Sequence, residues 1–181
     1  MQKKFDKIAV FDLDGTLYRD NSHLVLLNRY YKTTIFTSFL MKLIGKISSL
    51  YQLQILYFFY DRIPLEYINQ MIFDVRGKVY DVFIEKKNEG FLPVIISNAP
   101  YALVNFAAKK FMVEYWFSVQ DEKKSIILNK NFLYNELFVC TDNITDLDVI
   151  KLANSHLICC KRKDQALFCD CLENPVFLEE E

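Results

Sequence analysis

Asp12 and Asp14 stand two residues apart, directly after the apolar run Ile8-Ala9-Val10-Phe11 and directly before Gly15 and Thr16. Two carboxylates this close repel each other, and each loses its hydration at a cost. A divalent cation relieves both problems, and Mg2+ prefers such hard oxygen ligands. In a strand, residues i and i+2 point to one side. Gly15 marks the strand's end, however, so Asp14 is expected on a turn. Gly15 is one of only four glycines. It can supply a positive φ or a close backbone approach where a ligand would sit. A plain solvated turn after any strand would use the same residue types, so the rest of the chain has to discriminate.

Two later stretches repeat the arrangement of a buried strand ending in chemistry. Pro93-Val94-Ile95-Ile96 runs into Ser97 and Asn98, and Pro100 opens a helix soon after. A hydroxyl at a strand's end, beside a helix N-terminus, can donate to a phosphate oxygen together with backbone N–H groups. Ordinary N-capping by Ser97 or Asn98 would look alike in sequence. Leu137-Phe138-Val139-Cys140-Thr141 runs into Asp142, with Asp146 four residues further on. One carboxylate at a strand end and one at a helix start can converge on a cation, and both suit the positive end of that helix. Asp148 is expected to face elsewhere.

Asp12-Leu13-Asp14-Gly15-Thr16, then strand-Ser97, then Asp142-x-x-x-Asp146 resembles the ordered motifs of the haloacid dehalogenase (HAD) superfamily. The second Asp places the resemblance in its phosphatase branch, and the helical stretch after the first motif is similar to the C1 cap of phosphoserine-phosphatase-like members. The resemblance covers residues 7–20 and about 90–160. It implies an Asp12 nucleophile that becomes phosphorylated, and Asp14 as general acid and base. It calls for a Lys at the start of the helix before the fourth strand. Lys124 fits that position, with Lys123 as runner-up. Gly15, Thr16, Ser97, Asn98 and Lys124 would hold the phosphoryl group. Mg2+ would be held by Asp12, the backbone carbonyl of Asp14, Asp142 and, directly or through water, Asp146. Thr141 departs from the pattern, which has Gly there. That departure leaves open a non-catalytic binding or regulatory protein on the same fold. A phosphate-receiving signalling domain is disfavoured, because its phosphorylated Asp lies on a later strand than the paired acids. No Gly-x4-Gly-Lys-Ser/Thr occurs, which excludes a P-loop enzyme.

These residues need a scaffold. Short apolar runs predict five buried strands, near residues 8–11, 93–98, 116–120, 137–142 and 156–160. Alternation with helices predicts an α/β fold, a three-layer Rossmann-like core with a mostly parallel five-stranded sheet, plus an inserted all-helical cap. The core is assigned residues 1–19 and 89–181, and the cap residues 20–88. Leu27, Tyr30, Tyr31, Ile35, Phe39, Leu43, Ile47 and Leu50 recur at helical spacing and predict two or three helices. Leu65, Ile68, Ile72, Val75, Val79 and Val82 predict one further amphipathic helix, opened by Pro64 and closed by Gly90.

Composition bounds the function. The 181 residues are 52% hydrophobic with a net charge of −1, which suits one packed domain with an insertion and gives no field to recruit nucleic acid. The segment before Asp12 lacks an apolar signal-peptide core, so a cytoplasmic protein is expected, with five reduced cysteines. Cys159, Cys160, Cys169 and Cys171 lack the usual zinc-knuckle spacing. The longest uncharged run, residues 47–60, falls short of the roughly 18 residues needed to span a bilayer. The expected substrate is a small-molecule phosphate ester. The apolar, aromatic insertion also admits contact with a membrane or a lipid-linked phosphate, and the oligomeric state stays open.

Overall fold

The computed structural model describes residues 2–119 and 122–178. They divide into two compact units. One comprises residues up to Arg19 and from Asp74 onward, the other Asp20–Phe73.

The first unit is built on five parallel strands: β1 Lys7–Phe11, β2 Leu92–Ser97, β3 Tyr115–Ser118, β4 Glu136–Thr141 and β5 Ser155–Ile158. Their order across the sheet is β3-β2-β1-β4-β5. β1 is therefore central, with Phe11 in register with Ile95 on one side and Cys140 on the other. The expected α/β fold with a five-stranded parallel sheet is what the chain adopts. Gln120, the last residue of the third expected strand, lies outside the described residues. A separate two-stranded parallel pair, Lys3–Lys4 with Phe132–Leu133, was not foreseen. Its strands are too short to carry a periodic signal.

Strand alternation divides the core between the two faces of the sheet. Ile8, Val10, Val94, Ile96, Leu137 and Val139 form one cluster with Leu128, Phe132, Val149 and Phe168. On the opposite face Phe11 packs its ring against Phe83 and Phe138. Burial on both faces explains why these strands read as unbroken apolar runs.

The second unit is helical: α1 Ser22–Tyr30, α2 Phe39–Ile47, α3 Ser49–Tyr60 and α4 Leu65–Asn69. Asn21, Ser38 and Ser48 cap the first three through their side chains, which fixes each helix start. Tyr31, Phe36 and Phe59 make mutual edge-on and tilted ring contacts in its interior. His23 is buried against Tyr57 and Tyr60. Among the described residues no helix is long and apolar enough to cross a membrane.

Two sequence expectations change here. The stripe from Leu65 to Val82 is not one helix. It breaks into α4 and α5, Gly77–Asn88, with non-helical backbone between them. Val75 bridges antiparallel to Tyr18, and the Arg76 N–H bonds the Leu17 carbonyl. The backbone of 74–76 thus satisfies the turn after β1 instead of continuing a helix, and periodicity along the chain does not register such a partner. In consequence the helical unit ends at Phe73, not at residue 88. α5 belongs with the sheet, where its Phe83 ring lies 5.2 Å from that of Phe11.

The remaining helices of the sheet unit are α6 Tyr101–Phe111, α7 Lys124–Asn131, α8 Leu147–Ile150 and α9 Gln165–Cys169. All five cysteines are free. Cys140 and Cys159 bring their Sγ atoms to 3.5 Å, and burial pushes the Cys140 thiol well above its ordinary range.

Candidate active site

The centre of the site is the C-terminal end of β1. The Asp12 amide bonds the Cys140 carbonyl at 3.0 Å, which holds the start of the turn against β4. The turn then closes on itself: Thr16 and Tyr18 amides both reach the Leu13 carbonyl. Gly15 occupies φ +76° within it. A Cβ added to Gly15 would lie 2.1 Å from Asp142 Oδ2. Glycine is needed here on two counts, the left-handed backbone and the carboxylate pressed against it.

Register places the other residues around Asp12. Ser97 ends β2 on one side, and Thr141 ends β4 on the other, both buried. The Ser97 hydroxyl accepts a bond from the Ala99 amide, and a hydroxyl used this way keeps its own proton to donate. Asn98 is exposed and Asp14 is half-buried in the turn. Thr16 is fully buried and donates to Asp142 Oδ1 at 3.2 Å. Its hydroxyl thus serves a carboxylate, where the sequence pattern suggested a phosphate.

Lys124 is the residue that joins the pieces. Its Nζ lies 2.9 Å from Asp12 Oδ1 and 2.7 Å from Asp146 Oδ2, and all three side chains are almost fully buried. The contact with Asp12 is an ion pair without good hydrogen-bond geometry, so Asp12 Oδ1 keeps unfilled capacity. Burial works against the ammonium charge, but Asp12 and then Asp146 more than offset it and hold Lys124 above its ordinary value. Between the two lysines the sequence left open, only Lys124 reaches the site. Lys123 is the N-cap residue of α7.

Asp146 has two partners on one oxygen, Lys124 and the Thr141 hydroxyl at 2.6 Å. Its position follows from local sequence: the Asn143 side chain accepts from the Thr145 amide and turns the chain into a single 3-10 turn over Ile144–Asp146. Sequence reasoning missed two contributors. Thr141 was noted only as a departure from Gly. Asp148, which the sequence turns away from the other carboxylates, accepts from the Ser125 amide at 2.8 Å through its Oδ2. It caps the first turn of α7 and so fixes the residue next to Lys124. No local signal could have disclosed a cap supplied from 23 positions away.

Burial, and then the neighbouring Asp12 charge, push the Asp142 carboxyl up to about 6. A carboxylate that burial and a neighbouring charge make costly to ionise is what a divalent ion relieves. Among the described residues no three His, Cys, Asp or Glu side chains form a ready metal cluster. The donors at hand are two carboxylates, Asp12 and Asp142, beside the turn that carries Asp14. That set fits Mg2+, which keeps several waters and binds through one or two carboxylates plus substrate phosphate.

No protein-family model matches the sequence, and no curated protein matches it as a relative. Solved structures do match. A phosphoserine phosphatase captured as a phospho-aspartyl intermediate analogue is 19% identical, with a TM-score of 0.67 over 96% of this chain and 94% of that one. A protein of unknown function from Bordetella pertussis Tohama I is 11% identical, with a TM-score of 0.71 over 99% of both chains. A HAD family hydrolase from Salmonella enterica subsp. enterica serovar Typhi is 14% identical, with a TM-score of 0.59 over 94% of this chain and 66% of that one. At these identities the likeness is one of fold: this chain has the Rossmann-like α/β architecture of the HAD hydrolases.

Proposed function

We propose that the chain is a Mg2+-dependent phosphomonoester hydrolase that works through a phosphoaspartate on Asp12. One observation carries this reading: a fully buried lysine bridges Asp12 to Asp146 at the C-terminal edge of a parallel sheet, with Asp142 alongside. Open α/β sheets bind ligands at that edge. The fold shared with phosphoserine phosphatase and a HAD family hydrolase supports it.

Asp12, the Asp14 carbonyl and Asp142 would hold the Mg2+, which supplies neutralisation of phosphate charge when bound. Asp12 attacks phosphorus in line with the leaving oxygen, forming the Asp12 Oδ–P bond as the ester P–O bond breaks. Asp14, on the turn that follows, gives its proton to the departing alkoxide. It then takes a proton from the water that attacks the phosphoaspartate, which frees Asp12 and inorganic phosphate. Lys124 balances charge on Asp12 and on the transferring phosphoryl oxygens. Ser97 donates to one of those oxygens with nearby backbone amides. Asp146 acts on Lys124, holding its ammonium in place, which gives it a positioning role in addition to any water-mediated contact with the ion. The helical unit 20–73 is read as the substrate-selecting cap, and the substrate as a small-molecule phosphate ester.

The test is hydrolysis of an aryl phosphate with and without Mg2+. Metal-dependent release is expected in the wild type and none in Asp12→Asn, whose circular dichroism should be unchanged. Equal release by a folded Asp12→Asn overturns the assignment. Mg2+ binding with no turnover of any phosphoester would favour the non-catalytic reading. Thr141 first suggested that reading, but its hydroxyl serves Asp146, which speaks for a working site.

A further inference from the structure

We propose that the outward face of α2 docks on the surface of an anionic phospholipid bilayer. The helix carries its apolar residues on the wrong side for a simple core helix. Met41 is buried, whereas Phe39, Leu43 and Ile47 are 79%, 41% and 80% exposed, and Leu40 beside them is 62% exposed. At 3.6 residues per turn these four occupy one arc of about 100°. Ile35, in the 3-10 turn just before α2, is also exposed. Lys46, in the last turn, lies at the edge of the same arc.

The charge pattern selects the occupant. α2 carries Lys42 and Lys46 and no Asp or Glu, and the helical unit as a whole has Arg29, Lys32, Lys42, Lys46 and Arg62 against Asp20, Asp61 and Glu66. A second copy of this face would bury Lys46 at an apolar seam, and lysine is depleted in protein interfaces. An anionic bilayer meets both features. Phenylalanine, leucine and isoleucine enter the boundary between headgroups and acyl chains, while lysines stay at the lipid phosphates. With no helix long enough to span among the described residues, the helix would lie in the interface plane. This inference does not rest on the phosphatase reading.

Cosedimentation of the full chain with vesicles tests it. Wild type should pellet with vesicles of phosphatidylcholine plus phosphatidylglycerol, stay free with phosphatidylcholine alone, and be released by high salt. Phe39→Glu with Ile47→Glu should reduce pelleting to background with unchanged circular dichroism, since neither side chain is buried. Lys46→Gln should weaken partitioning about fivefold. Failure of the wild type to bind anionic vesicles overturns the proposal, as does wild-type binding by the folded double variant. Light scattering provides the rival outcome: a dimer that the double substitution splits, with no vesicle binding, makes the face a self-interface and the proposal wrong. No arm of the test uses activity, so its failure and that of the enzymatic reading are separable.

Discussion

Thr141 donates its hydroxyl proton to Asp146 Oδ2 at 2.6 Å, the same oxygen that receives Lys124 Nζ at 2.7 Å. A residue that departs from the sequence pattern is thus built into the charge network. Its hydroxyl also accepts from the Asn143 amide at 3.1 Å, which ties the strand end to the turn carrying Asp146.

Thr141→Val removes a bond to a buried carboxylate and should cost about 1.5–3 kcal/mol of stability. Turnover should fall as Asp146 loosens its hold on Lys124. Thr141→Ser should restore most of both. Urea unfolding and kcat for the three proteins check this, and a Val variant matching wild type in both would remove Thr141 from the network.

Lys124→Met leaves Asp12 and Asp146 buried without their shared cation. Breaking such a buried pair destabilises by about 3–5 kcal/mol near neutral pH. The loss should shrink in acid, as Asp146, whose carboxyl burial already raises, takes up a proton. Unfolding at pH 7 and at pH 5 should show the difference, together with abolished phosphatase activity.

Gly15→Ala forces a side chain into a left-handed backbone and against Asp142. The backbone strain alone should cost about 1–3 kcal/mol, and Asp142 must move. Mg2+-dependent turnover should be lost at Mg2+ concentrations that saturate the wild type. Calorimetric titration with Mg2+ should show weakened binding, and unaltered affinity would mean that Asp142 does not hold the ion.

His23 gives a pH dependence separate from the site. Its burial lowers the imidazole pKa to about 4, partly opposed by a hydrogen bond to the Leu56 backbone, and its Nε2 has no partner. The unfolded chain protonates His23 near 6.5, so between 6.5 and 4 the unfolded state binds more protons. Stability should therefore fall as pH drops through that window, by on the order of 3 kcal/mol. Above pH 6.5 this contribution is flat. His23→Asn should flatten the acid slope measured by thermal unfolding, and an unchanged slope would assign it to other groups.

What the sequence determined by itself was the sheet and the residues at its strand ends. Parallel strands buried on both faces must be apolar throughout, so each shows as a run, and the residue following each run falls at the sheet's ligand-binding edge. Asp12 and Asp142 follow such runs and Ser97 ends one, and the order of these motifs along the chain, not the runs alone, singled them out together with Asp14. What only the tertiary structure decided were pairings between residues far apart in the chain. Lys124 rather than Lys123 meets Asp12, Asp148 caps the start of α7, and Asp146 shares one oxygen between a lysine and a threonine. The break between α4 and α5 belongs to the same class, because Val75 leaves its helical stripe to pair with Tyr18. Local pattern reports which face a residue turns to the core. It carries no information on which distant backbone or charge will satisfy a polar group, and burial makes that satisfaction obligatory.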